Sequence, residues 1–136
     1  MSIIRDITIE SLKYLETDEV LLFIGARQSG KTTILKQIRD HLEKKNNVCH
    51  FLNLEDPEYL EILNKSPKNL LKIFSLDLTR KSYIFIDEVQ YLKNPSNFLK
   101  YFYDEYGGKI KILASGSSSF YIDKKFKDSL AGRKKI

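Results

Sequence analysis

Cysteine is almost missing from this chain of 136 residues. Cys49 stands alone, which excludes an intramolecular disulfide and fits a reducing compartment. It lies in the apolar-rich stretch Val48–Leu54 and reads as a structural thiol. Tryptophan is absent, and no apolar run approaches the ~20 residues that a membrane-spanning helix needs. The start, Met1 to Asp6, lacks the basic-then-apolar layout of a secretory signal. A cytoplasmic protein with no membrane partner is the expectation. Internal repeats and low-complexity tracts are also missing. The eight Phe and eight Tyr fall at helix and strand spacing, so they give no sign of an exposed platform for stacking bases.

What is present is ordinary for a globular domain: 42% apolar and 30% charged residues, enough for one real core. The net charge of +5 is unevenly placed. Residues 1–122 carry 17 basic against 16 acidic side chains, whereas 123–136 carry six (Lys124, Lys125, Lys127, Arg133, Lys134, Lys135) against Asp123 and Asp128. Basicity belongs to the tail. A solvated end segment is its plainest reading, with a nucleic-acid surface as the alternative.

Apolar periodicity divides the chain into alternating helices and strands. Residues 3–16 read as an amphipathic helix, Val20–Ile24 as a strand, Thr32–Lys45 as a helix and Val48–Leu54 as a second strand. Asp56-Pro57 and Ser66-Pro67 look like N-caps followed by proline at the first helical position, opening helices over 57–64 and 67–76. Ser82–Ile86 is apolar almost throughout, as a strand buried on both faces should be. Pro95 opens a helix with the stripe Phe98, Leu99, Phe102 and Tyr106, which Gly107-Gly108 ends. Lys109–Ala114 is a fourth strand, followed by a Ser/Gly loop over Ser115–Ser119. This order predicts an α/β fold of three layers around a parallel central sheet.

Gly25-Ala26-Arg27-Gln28-Ser29-Gly30-Lys31-Thr32 fits the phosphate-binding pattern G-x-x-x-x-G-K-[ST] at every constrained position. A short apolar strand precedes it, and Thr33, Ile34, Leu35, Ile38 and Leu42 continue it as a helix, so backbone N–H groups converge on an anion. Glycine at 25 and 30 lets the backbone approach phosphates where a Cβ would obstruct. Lys31 offers an ammonium to the β- and γ-phosphates and Thr32 a hydroxyl to Mg²⁺. Arg27, Gln28 and Ser29 are unconstrained by the pattern, and a solvated arginine is the plainer reading of Arg27.

Asp87 ends the apolar run Tyr83–Ile86, 56 residues after Lys31, where a carboxylate holds Mg²⁺ through its water shell. Glu88, one residue on, can polarise a water for in-line attack on a γ-phosphate. At the end of the fourth strand Ser115, and next Ser117, offer hydroxyls at the carboxyl edge of the sheet, where ligands of open α/β sheets bind.

Five blocks together, Gly25–Thr33, Phe51–Pro57, Ile84–Gln90, Leu113–Ser119 and Ser129–Arg133, resemble a prokaryotic AAA-superfamily ATPase family whose P-loop domain precedes a C-terminal domain of unknown function. The resemblance covers roughly residues 10–133. It implies that Lys31 and Thr32 are phosphate and magnesium ligands, Asp87 and Glu88 the acidic pair, Ser115 a polar sensor and Arg133 an arginine that reaches a γ-phosphate. It implies further that residues 1–136 are a P-loop domain at the N-terminal end of a longer protein, stopping before the last strand and lid. On that reading one edge of the sheet is uncovered, and self-association through it is expected.

The leading expectation is Mg-dependent ATP binding and hydrolysis coupled to conformational change. A nucleotide-gated binding or signalling module with negligible turnover is the alternative, and a protein or DNA partner is left open. The GTPase reading is poor: the sole Asn-Lys pair, Asn64-Lys65, runs into Ser66-Pro67 instead of completing N-K-x-D. No acceptor or lid signature supports a P-loop kinase.

Overall fold

The structure, a computed structural model, describes residues 3–25, 30–117 and 134–135. Five parallel strands form one sheet: β1 (Leu21–Gly25), β2 (Val48–Asn53), β3 (Ser82–Asp87), β4 (Ile110–Ser117) and β5 (Lys134–Lys135), in the spatial order β2-β3-β4-β1-β5. Parallel strands need crossovers, and α2 (Lys31–Lys44), α3 (Pro57–Lys65), α4 (Leu70–Phe74) and α5 (Pro95–Tyr106) supply them, while α1 (Ile3–Leu12) precedes β1. Among the described residues no helix is long and apolar enough to cross a membrane.

Alternation along the strands sorts side chains onto two faces. Leu21, Phe23, Tyr83, Phe85 and Leu113 meet Ile34, Leu35, Ile38 and Leu42 of α2. Leu22, Ile84, Ile86, Ile112 and Ala114 meet Leu63, Leu70, Phe98, Leu99 and Phe102 from the helices on the opposite face. α1 lies outside α2, where Thr8 donates to the Gln37 side chain at 2.6 Å. The three-layer α/β architecture expected from the alternating pattern is therefore present.

Local chemistry sets the boundaries. Asp56 accepts from the Glu58 N–H at 2.9 Å and Asn94 from the Asn97 N–H at 3.1 Å, each with proline at the next position. α1 ends at Leu12, short of residue 16, because successive turns from Ser11 to Thr17 follow it and carry Leu15 into the core. The helix expected over 67–76 is a 3-10 turn, Pro67–Asn69, joined to the single-turn α4, and left-handed Ser75 (φ 49°) stops it.

Two differences from the sequence reading concern the site. β4 runs on through Ser117, because Ser115, Gly116 and Ser117 pair with Phe23, Ile24 and Gly25 of β1. Small polar residues look like a loop, but pairing with β1 keeps them in the sheet beyond Ala114, where the pairing with β3 ends. The position beside β1, expected to stand empty, is entered by Lys134–Lys135, which pair with Phe23 and Ile24. Two lysines carry no apolar strand signal, so periodicity does not find them.

Candidate functional site

Because all strands are parallel, β1, β3 and β4 end on one edge of the sheet. β4 separates the other two, setting the end of β1 and the end of β3 roughly 10 Å apart. The phosphate loop leaves β1, the acidic pair leaves β3, and Ser115 sits between them on β4.

Gly30, the residue before α2, has φ 86° and ψ 16°, the left-handed region that any Cβ would strain. It opens α2 directly, so Lys31 and Thr32 lie in the first turn. Lys31 is 2% exposed, and its Nζ donates to the carbonyls of Gly25 and Gly116, both at 2.9 Å. Burial lowers the Lys31 pKa from its ordinary value, and the nearby Glu88 and Asp87 oppose that shift. An ammonium held by two neutral carbonyls keeps its charge available to an anion at this edge.

Thr32 Oγ1 donates to Asp87 Oδ2 at 2.6 Å, joining the first turn of α2 to the end of β3. Asp87 is 2% exposed, and its other oxygen accepts from the Ser115 hydroxyl. That hydroxyl in turn accepts from the Glu88 N–H at 2.9 Å. Ser115 is fully buried, and these two bonds commit it to holding the acidic pair.

Glu88 takes φ 63° and ψ 50°, left-handed for a residue with a side chain, at a cost of roughly 1–2 kcal/mol. The bond to Ser115 and the 3-10 turn Val89–Tyr91, anchored by buried Val89, hold it there. Its carboxylate accepts from the Gln90 side chain, whose carbonyl accepts from the Ser117 N–H at 3.1 Å.

Thr32 and Asp87 together fit Mg²⁺: hard oxygen donors, one of them a carboxylate, where the first turn of α2 meets the end of β3. Among the described residues no cluster of three or more His, Cys, Asp or Glu could hold a metal alone. Such a two-donor set suits an ion that keeps its waters and takes other oxygens from phosphate.

Gly25, Gly30, Lys31, Thr32, Asp87, Glu88 and Ser115 thus gather at one edge, with Thr33 in the same first turn of α2. Ala26, Arg27, Gln28, Ser29 and Arg133 lie outside the described residues. Cys49 is half-buried on β2, its thiol pushed up to about 11 by burial, as a structural thiol should be. The residue that sequence reasoning passed over is Gln90. It stood inside the block Ile84–Gln90 without a role, since only folding of the 3-10 turn turns it back to Glu88.

The fold and this edge define an AAA-type P-loop nucleotide-binding domain. The AAA domain family model matches residues 17–136, and the chain belongs to that family. It is 36% identical over 117 residues to an uncharacterized protein of Methanocaldococcus jannaschii, covering 79% of this chain and 24% of that protein. The chain spans about a quarter of the length of the relatives it matches, 24% and 22%. Among solved structures it is similar to C. elegans PCH-2, with TM-score 0.62 and 20% identity over 98% of this chain and 40% of that one. It is equally similar to AMPPCP-bound DnaA from Aquifex aeolicus, with TM-score 0.62 and 17% identity over 96% and 44%. Identities this low speak for the fold.

Proposed function

We propose that this domain binds Mg-ATP and hydrolyses it to ADP and phosphate, coupling turnover to a change of conformation. The observation that carries the reading is the chain of contacts from Thr32 through Asp87 and Ser115 to the Glu88 N–H, which supports Glu88 as a second acidic residue next to the Thr32–Asp87 pair at the start of α2. An uncharacterized relative and an AMPPCP-bound structural neighbour are compatible with it.

In this reading Lys31 neutralises phosphate charge, and the N-terminus of α2 adds its partial positive end. Thr32 and Asp87 would hold Mg²⁺, which would neutralise phosphate charge when bound. Glu88 accepts a proton as water attacks the γ-phosphate. Ser115 fixes the Asp87 carboxylate and the backbone of Glu88, and a reducing, cytoplasmic setting suits a chain with one cysteine.

The test is phosphate release from Mg-ATP by the chain and by its Glu88→Gln variant. Glu88→Gln should keep ATP affinity while turnover falls by about 10²–10⁴-fold. Equal turnover in the two removes Glu88 as base. Tight ATP binding with no turnover in either makes the domain a nucleotide-gated switch.

A further inference from the structure

We propose that Gln90 is a positioning residue for Glu88, a strut that aims its carboxylate and ties it to the strand end that also holds Lys31. The inference rests on the reading of Glu88 as base and deepens it. The amide is used at both ends. Its nitrogen donates to Glu88 Oε2, and its oxygen accepts from the Ser117 N–H at 3.1 Å. A carboxylate only accepts and a backbone N–H only donates, so the two partners fix which way the amide faces.

The local fold makes the strut rigid. Glu88 is left-handed, Val89 is fully buried, and the turn bond from Tyr91 N to Glu88 O at 3.3 Å closes the loop between them. The far end is equally well placed. Ser117 pairs with Gly25 across β4 and β1, and the preceding Gly116 carbonyl accepts from Lys31 Nζ. A short path therefore runs from Glu88 through Gln90 and the Gly116-Ser117 peptide to the phosphate-loop lysine. Any phosphate that draws Lys31 from Gly116 acts on the segment that steers Glu88.

Residue chemistry limits what else could serve. Asparagine is one methylene shorter, leucine offers neither bond, and glutamate keeps the acceptor for Ser117 while losing the donor for Glu88. Gln90→Leu and Gln90→Glu therefore separate the two ends.

The experiment joins a nucleotide-free readout to kinetics. In amide NMR of the nucleotide-free chain, Ser117 N–H should exchange faster in Gln90→Leu and stay protected in Gln90→Glu. In steady-state turnover of Mg-ATP both variants should lose kcat by about 10–100-fold, the range for removing a supporting contact. KM and ATP affinity should stay within about threefold. A general packing defect would move affinity along with kcat. Unchanged Ser117 exchange in Gln90→Leu, or parental kcat in Gln90→Glu, overturns the strut. Full turnover in Glu88→Gln alongside the expected NMR result overturns the base instead and leaves the Gln90 contact standing.

Discussion

Lys31 has a structural part in the fold beside the role proposed for it in binding phosphate. Its Nζ joins the ends of β1 and β4 through two carbonyls, and among the described residues no carboxylate bonds it directly. Lys31→Ala should therefore do two separable things. Nucleotide affinity should fall by about 10–100-fold with the lost charge-assisted bond, read by titration of a fluorescent ATP analogue. Stability should fall by about 1–3 kcal/mol, because the Gly25 and Gly116 carbonyls lose a buried donor, read by urea denaturation. Unchanged affinity would refute the phosphate role. That Gly30, Lys31, Thr32 and Asp87 come together was legible from spacing alone, since the pattern sets each residue type at a fixed offset from a strand end. Gln90 was not legible, since its role depends on a left-handed Glu88 that no local pattern announces.

At the scale of elements, caps carry boundary information in the sequence and stability in the structure. Asn94 accepts from Asn97 N–H at the start of α5, the helix whose Phe98, Leu99 and Phe102 fill one face of the core. Asn94→Ala should cost about 1 kcal/mol, with turnover near parental, since the cap lies away from the Asp87–Glu88 pair. A denaturation midpoint equal to the parent's would show that solvent caps α5 equally well. α2, α3, α5 and the four longer strands were all readable as elements. The end of β4 was misread as a loop. Serine and glycine have poor strand propensity, and only pairing with β1 keeps them extended. β5 was unreadable for a related reason: two lysines become a strand through the partner they meet.

For the molecule as a whole, the end of the sheet opposite the site holds a second buried lysine. Lys111 is fully buried on β4, where it donates to the Thr17 hydroxyl at 3.1 Å and to the Glu19 carbonyl. Burial first, and then Lys81, push its pKa down to about 8, against the pull of Glu19 and Asp18. The folded state thus releases a proton that the unfolded chain keeps to higher pH. Below about pH 8 the buried charge is a cost, and stability rises as pH passes that value. Cys49, raised to about 11, acts with the opposite sign once the unfolded thiol ionises, so the cleanest window is pH 8–9. Unfolding free energy should rise there by about 1 kcal/mol in the parent and stay flat in Lys111→Met. Parallel curves for the two proteins would mean that Lys111 titrates normally.

By itself the sequence determined the layer architecture, the family and which of the described residues, Lys31, Thr32, Asp87, Glu88 and Ser115 among them, gather at one edge of the sheet. Apolar periodicity and motif spacing are local quantities, written along the chain. The tertiary structure alone decided that Ser115 faces inward to bind Asp87 and the Glu88 N–H, that β4 holds its serines in the sheet, and that Gln90 reaches both Glu88 and Ser117. Those relations join residues 27 or 28 positions apart, or hang on one left-handed residue, and no local pattern encodes a contact whose geometry exists only once neighbouring strands have paired.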